Sequence, residues 1–412
     1  MKRRSARTAA VLIAANLVAV AIVAFITWRN GNESAPEPIR LTVAKFADLP
    51  GWASGDHRAA LAAFRQSCGA ISKFPGDHPM SGVGYAGKAS DWFDACAAAA
   101  QNAPGIAQVR TYFEHWFVPI EIRPAKPAFF TGYYEPVLAG SHRKTGSFKW
   151  PVYGRPKDLV SVDPALFRRE GARFYGWVAG DELVPYASRA EIDNQGLPAG
   201  PVLFYTDDPI GAFFLSVQGS GRVRFADGSI ERLSFAGTNG RRYTSIGRVL
   251  VAMGALDRKS VSLQTIRIWL EQHPANAQSV MESNESFVFY DLEPLHEAAL
   301  GSAGTEGVPL TPEASVAIDT RVHALGIPMF VETGMPGGLL PGGGGAFERL
   351  LIAQDTGGDI KGAARADIFF GSGPKAEWIA GHLQSRGRLF VLLPRTLAGA
   401  ISPAKDYPDP TE

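Results

Sequence analysis

Residues 355–373 read Asp-Thr-Gly-Gly-Asp-Ile-Lys-Gly-Ala-Ala-Arg-Ala-Asp-Ile-Phe-Phe-Gly-Ser-Gly, and they join two apolar runs, Leu350 to Gln354 and Ile368 to Phe370. A Gly-Gly turn, a third glycine and the acids Asp355, Asp359 and Asp367 lie between those runs. Asp367 stands just before a hydrophobic strand that ends in Gly371-Ser372-Gly373. A carboxylate in that position is poorly solvated and closely approached by backbone, and such burial raises its pKa towards the value a general acid needs. Around this stretch the pattern repeats: Phe287 to Tyr290, Ser315 to Ile318, Met329 to Glu332 and Leu389 to Leu393 are further short strands joined by Gly/Pro loops. Short strands with such loops point to a small barrel rather than a parallel sheet with helices, so the chain is mainly β with helices, an α+β fold.

At 412 residues the chain is long enough for two domains with their own cores. Hydrophobic content of 46% and charged content of 20% are globular values. A formal net charge of +1, with basic residues clustered only at the extreme N-terminus, argues against nucleic acid as a partner. There Lys2, Arg3, Arg4 and Arg7 precede a run from Ala9 to Trp28 that is apolar except for Asn16 and Thr27. Twenty residues is about the length that spans hydrocarbon and long for a cleaved leader. The positive flank belongs on the cytoplasmic side. Residues 1–40 are therefore expected to be an inner-membrane anchor and tether, or a cleaved signal peptide, with the rest periplasmic. The two cysteines, Cys68 and Cys96, sit in helix-like segments. In an oxidising compartment they are expected to pair; packing of a helix pair by two buried thiols is the other reading. Their number and the scattered histidines give no metal-ligand spacing, and no cofactor is called for.

Residues from His57 to Trp116 read as helices, with Ser90 as an N-cap and Val109, Tyr112, Phe113 and Trp116 as one apolar stripe. Ala128 to Tyr134 reads as a strand closed by Glu135-Pro136, and Phe213 to Gln218 as another, running into Gly219-Ser220-Gly221 and pairing with Arg222 to Phe225. Helices are expected at Ser188 to Ile192, from Ser245 with Ile246, Val249 and Leu250 inward, and through Leu263, Ile266 and Leu270 up to His273-Pro274. Gly342 to Gly345 reads as a flexible loop without the lysine or helix start of a phosphate-binding loop.

Five short motifs in order then resemble one family. They are Thr131-Gly132-Tyr133-Tyr134-Glu135-Pro136, Gln218-Gly219-Ser220-Gly221, Asn239-Gly240 with Tyr243 to Arg248, Asn284 to Phe289, and the three aspartates Asp319, Asp355 and Asp367. Over about 46–394 the chain resembles the membrane-bound lytic murein transglycosylase A (MltA) family of peptidoglycan-cleaving enzymes. The resemblance implies a double-psi β-barrel, built from residues 41–136 and 291–400. A smaller β-barrel-like domain, residues 137–290, interrupts it, the glycan groove lies between the two, and residues 401–412 form a tail. It implies Asp367 as the single catalytic acid, with Asp355 and Asp319 in support. Thr131, Tyr133, Tyr134, Gln218, Ser220, Asn239 and Tyr243 are expected to contact sugar. The chain departs from better-known members at its N-terminus, where no cysteine follows the apolar run to accept lipid.

A lytic transglycosylase protonates the leaving oxygen of the MurNAc–GlcNAc bond. It then takes the proton of the MurNAc 6-hydroxyl, which closes a 1,6-anhydro ring. The intramolecular hydroxyl replaces the second carboxylate of an ordinary glycosidase. The expected partners are peptidoglycan strands and other members of cell-wall enzyme complexes. Two alternatives remain at this level: a non-catalytic peptidoglycan-binding scaffold, and a metal-dependent hydrolase using all three aspartates.

Overall fold

The computed structural model describes residues 39–101, 105–123, 127–167, 174–337, 344–401 and 406–407. The anchor and tether expected at 1–40 lie outside the described residues except for the last two, as do 342–343 of the glycine loop. Among the described residues no helix is long and apolar enough to cross a membrane.

The chain enters through strand β1 (Ile39–Val43) and helices α1 (Arg58–Ile71), α2 (Phe93–Gln101) and α3 (Ile106–Trp116), then forms β2 (Phe117–Arg123) and β3 (Ala128–Glu135). The three helices follow the expected apolar spacing: Phe64, Val109, Tyr112 and Phe113 are buried in one core with the strands that follow. Ser90 does not cap a helix. It lies inside a short 3-10 turn in which the Asp91 carboxylate accepts the Lys88 N–H at 2.9 Å, because a carboxylate is the stronger acceptor there. The Cys68–Cys96 disulfide ties α1 to α2.

A middle segment carries β4 (Val137–Gly140), β5 (Trp150–Tyr153), β6 (Val160–Val162), β7 (Phe174–Ala179), β8 (Glu182–Pro185), α4 (Arg189–Gln195), β9 (Val202–Thr206), α5 (Pro209–Gln218), β10 (Gly221–Phe225) and β11 (Ile230–Thr238). It continues through α6 (Ile246–Ala252), α7 (Leu263–Gln272), α8 (Pro274–Glu282) and β12 (Val288–Pro294). The sheet order here is β12-β11-β10-β4, and single bridges Ser141–Tyr205 and Gly154–Tyr290 connect it to the β5–β9 pair. The strand expected at Phe213 to Gln218 is instead the C-terminal part of helix α5. Asp208 accepts the Gly211 N–H at 2.8 Å, Pro209 occupies the first helical turn, and Gly219 closes the helix at φ +86°. These two caps outweigh the β preference of Phe213, Phe214 and Val217. β10 consequently pairs with β11 and β4 rather than with residues 213–218.

The last segment holds β13 (Ser315–Ala317), β14 (Pro328–Gly334), β15 (Ala346–Asp355), β16 (Arg365–Ser372), α9 (Pro374–His382), β17 (Gln384–Pro394), α10 (Arg395–Ala398) and β18 (Asp406–Tyr407). In the large sheet the order β14-β15-β13-β16-β3-β17 closes on itself through a β14–β17 pairing, giving a six-stranded ring. Within it β16 runs parallel to β3 and antiparallel to β13. β2, β1 and β18 extend the sheet from β17, so the expected C-terminal tail contributes a strand. The ring encloses large apolar side chains such as Phe130, Phe330 and Phe390, and α1 packs on it. A fully buried Gln354 locks that contact: its amide donates to the Ala63 carbonyl and the Ser67 hydroxyl, both at 2.9 Å, and accepts from Ser315.

Candidate active site

The parallel register of β16 on β3 sets Asp367 beside Thr131. Side chains at neighbouring register positions share a sheet face, and the Thr131 hydroxyl donates to Asp367 Oδ1 at 2.5 Å. Arg365 Nη2 donates to the same hydroxyl at 2.7 Å, while its guanidinium lies 5.3 Å from the centroid of the Phe129 ring. Asp367 is half-buried, so protein surrounds it while part of the residue stays open to solvent. Burial raises its pKa above the ordinary carboxylate value. The Arg365 charge and the Thr131 bond work against that rise, and the nearby Asp355 and Asp359 add to it. Desolvation prevails because ring strands flank Asp367 on both sides.

Asp355, at the end of β15, has its oxygens committed. Tyr133 donates its phenol to Oδ2 at 2.8 Å, and the Thr305 backbone N–H and hydroxyl both donate to Oδ1 at 3.0 Å. Its pKa is also raised, by burial first, with these bonds opposing. Asp319 is different. Burial pushes it up, but Arg321 and the backbone N–H groups of Gly362 and Arg321 together bring it below its ordinary value. Arg321 Nη2 lies 2.7 Å away and the Gly362 N–H 2.8 Å away. Asp319 thus pins the turn that leads into β16. The three aspartates hold three separate sets of partners and do not form a shared cage. Among the described residues no group of three or more His, Cys, Asp or Glu side chains is placed to hold a metal ion.

Of the other expected contacts, Tyr243 comes to the site. It is half-buried, and its phenol is raised by burial, then by Asp359, with Asp367 adding to the shift, so it stands within electrostatic range of the acid. Gln218 accepts the Tyr134 backbone N–H at 3.0 Å, which joins the end of α5 to β3. The Tyr134 phenol is held well above its ordinary value by burial and then by Glu377. Ser220 is buried at the start of β10. Asn239 is not a sugar contact. It is fully buried; its amide nitrogen donates to the Ala187 and Glu285 carbonyls at 2.8 Å, and its oxygen accepts the Arg241 and Phe287 N–H groups. An asparagine has four hydrogen-bonding positions, and here the fold uses all of them.

The family model described as MltA specific insert domain matches residues 129–291, and the one described as 3D domain matches residues 314–393. The crystal structure of a membrane-bound lytic murein transglycosylase from Agrobacterium tumefaciens superposes with a TM-score of 0.76 at 31% identity, over 88% of this chain and 100% of that one. The chain belongs to the MltA family. Membrane-bound lytic murein transglycosylase A of Vibrio cholerae is 36% identical over 265 residues, and the chain spans 64% of that relative's length. The crystal structure of Escherichia coli MltA with bound chitohexaose superposes with a TM-score of 0.63 at 28% identity, covering 86% of this chain and 94% of that one.

In this MltA-family chain two groups beside the predicted residues shape the site. Glu135, the last residue of β3, is fully buried. It accepts from Arg222 Nε at 2.9 Å and from the Ser302 N–H and hydroxyl at 2.7 and 3.0 Å. This buried pair fixes β10 of the middle segment to the end of the strand that carries Thr131. The Thr-Gly-Tyr-Tyr-Glu-Pro motif already contained the glutamate, but its arginine partner lies 87 residues on. Across the open side, Arg248 and Asp359 form an exposed ion pair at 3.2 Å that links α6 to the loop before β16. Asp359 is therefore solvated, as its glycine neighbours suggest, yet partnered.

Proposed function

We propose that the chain is a peptidoglycan lytic transglycosylase in which Asp367 acts alone, first as general acid and then as general base. One observation carries this reading. Of the three aspartates, Asp367 combines a raised pKa with a carboxyl group that holds a single hydroxyl partner, whereas Asp355 is engaged by Tyr133 and Thr305 and Asp319 is neutralised by Arg321. A hydrolytic glycosidase needs a second free carboxylate as nucleophile or base. One raised acid suits a reaction whose nucleophile is the substrate's own 6-hydroxyl, held at high effective concentration.

Each neighbour takes a role in that chemistry. The Thr131 hydroxyl orients the acid, and Arg365 fixes Thr131 and stabilises the carboxylate left after proton donation. The Asp355 charge nearby favours the protonated form of Asp367. Tyr243 offers a phenol on the opposite side of the groove, where an aromatic body with a polar tip suits a sugar ring. The six-stranded ring with residues 137–290 set in as a separate unit supports the double-psi arrangement and a glycan groove between the two. The E. coli relative's chitohexaose, an oligosaccharide, supports the same substrate class. The basic flank and apolar run at the N-terminus support an envelope location facing the murein.

The test is digestion of purified murein by the full chain, with soluble products weighed by mass spectrometry. Products lighter by one water than the reducing muropeptides, from anhydro-ring closure, are expected. Reducing MurNAc ends would show a hydrolase and overturn the assignment.

A further inference from the structure

A cavity of about 340 Å³ lies between strands β5 and β12 and helices α4, α5, α7 and α8. That volume falls within the range of small-molecule sites. Its lining includes neither Asp367 nor any residue bonded to it. The inner wall is apolar and buried, with Phe213, Leu215 and Leu270, and the rim carries the exposed acids Asp193 and Glu271.

Two buried polar groups stand against this wall with unmet bonding capacity. Arg189 is 4% exposed, and its guanidinium lies 4.8 Å from the Phe213 ring centroid and 5.0 Å from that of Phe287. Its Nε donates to the Asn284 carbonyl at 3.0 Å, and its Nη2 to Ser216 at 2.6 Å and to the Ser286 carbonyl at 2.7 Å. Among the described residues Nη1 has no hydrogen-bond partner and no carboxylate lies within ion-pair distance of this arginine. The second group is the Tyr290 hydroxyl, fully enclosed and without a hydrogen-bond partner. It is close enough to Arg189 for the two to shift each other's pKa. Asp193, one helical turn on from Arg189, is the foremost charge acting on it but lies outside ion-pair distance, so an anion at Nη1 still offsets part of the desolvation cost of the buried cation. At the rim Glu271 is paired with Arg267 at 3.0 Å, which leaves Asp193 to favour a positive charge on the ligand.

We propose that this cavity binds the zwitterionic end of an amino acid or short peptide. The carboxylate sits against Arg189 Nη1, the apolar body lies on Phe213 and Leu270, and the ammonium stays at the Asp193 rim. This assignment is independent of the chemistry at Asp367. Calorimetric titration of the full chain with alanyl-alanine, its C-terminal amide and its N-acetyl form tests it. Saturable binding of the free dipeptide is expected, weakened at least about tenfold by amidation, as loss of a charge-assisted bond implies. Asp193→Asn is expected to remove the preference for the free amine over the acetylated one. Asp367→Asn leaves binding unchanged. Arg189 also supports the fold, so the amidated dipeptide and the Asp193→Asn variant, with melting curves as controls, carry the test. Lack of saturable binding, equal binding of free and amidated dipeptide, or binding lost in Asp367→Asn would each overturn the proposal.

Discussion

Replacing Asp367 by asparagine separates catalysis from stability, because the two are expected to move in opposite directions. The amide keeps the shape and still accepts the Thr131 hydroxyl, but it can neither give nor take a proton. A positioned acid or base contributes roughly 10²–10⁴-fold, and here one carboxyl group serves in both steps. The expected loss is therefore at least about 10⁴-fold, about 5 kcal/mol of transition-state stabilisation. For stability, burial raises the folded-state pKa of Asp367 above its unfolded value. Stability from such a group is fully present below the unfolded pKa and is lost as pH rises through the folded pKa. Above that window the buried carboxylate is a net liability, and the neutral amide removes it. Asp367→Asn should thus melt at a higher temperature than the wild type at neutral pH while releasing no anhydro-muropeptides. The assays are chromatography with mass detection of soluble murein fragments, and calorimetric melting. A variant that keeps more than about 1% of wild-type turnover would refute the single-acid reasoning, since a lone acid–base group cannot be spared so cheaply. A lower melting temperature would refute the desolvation argument.

Thr131→Val removes a bond that holds the Asp367 pKa down, so the alkaline limb of the pH–activity profile should move to higher pH; an unmoved limb would dissociate Thr131 from the acid. Glu135→Ala leaves Arg222 buried without its counter-ion, and denaturant unfolding should show a loss of roughly 3–5 kcal/mol. Reducing Cys68–Cys96, which are 28 residues apart, should cost roughly 3.5 kcal/mol in the same assay through the freed loop of the unfolded chain. Burial raises Glu306 to about 7, with a Ser67 bond opposing. Its contribution to stability is present below its unfolded pKa and lost as pH rises through about 7, so melting temperature should fall between about pH 5 and 8, and less so in Glu306→Gln.

The poor hydration of Asp367 was legible from local chemistry, while the family resemblance is what singled it out among the three aspartates. An aspartate placed directly before Ile368-Phe369-Phe370 and a glycine loop cannot be well hydrated once the strand is buried, whatever lies opposite. The strands β13 to β17 and the capped helix α4 were legible for the same reason, since alternation and caps act over a few residues. Phe213 to Gln218 misled because its aromatic and branched residues suit a strand. The deciding signals, Asp208-Pro209 before it and Gly219 after it, lie at its ends. Asn239 misled in another way. An exposed-looking Asn-Gly is a turn signal, but its four partners come from three segments and only the fold assembles them.

What the sequence alone determined was which side chain is prone to desolvation and which segments alternate, because both depend on neighbours within one strand. What the tertiary structure decided was the company that side chain keeps. The parallel register of β16 on β3 places Thr131, 236 residues away in sequence, at Asp367, where Arg365 of the same strand as the acid bonds to its hydroxyl. The commitment of Asp355 to Tyr133 and Thr305, and of Asp319 to Arg321, leaves Asp367 the least engaged of the three aspartates. Pairing across such separations depends on ring closure and on which groups the closed ring brings to each oxygen, and no local pattern carries that information.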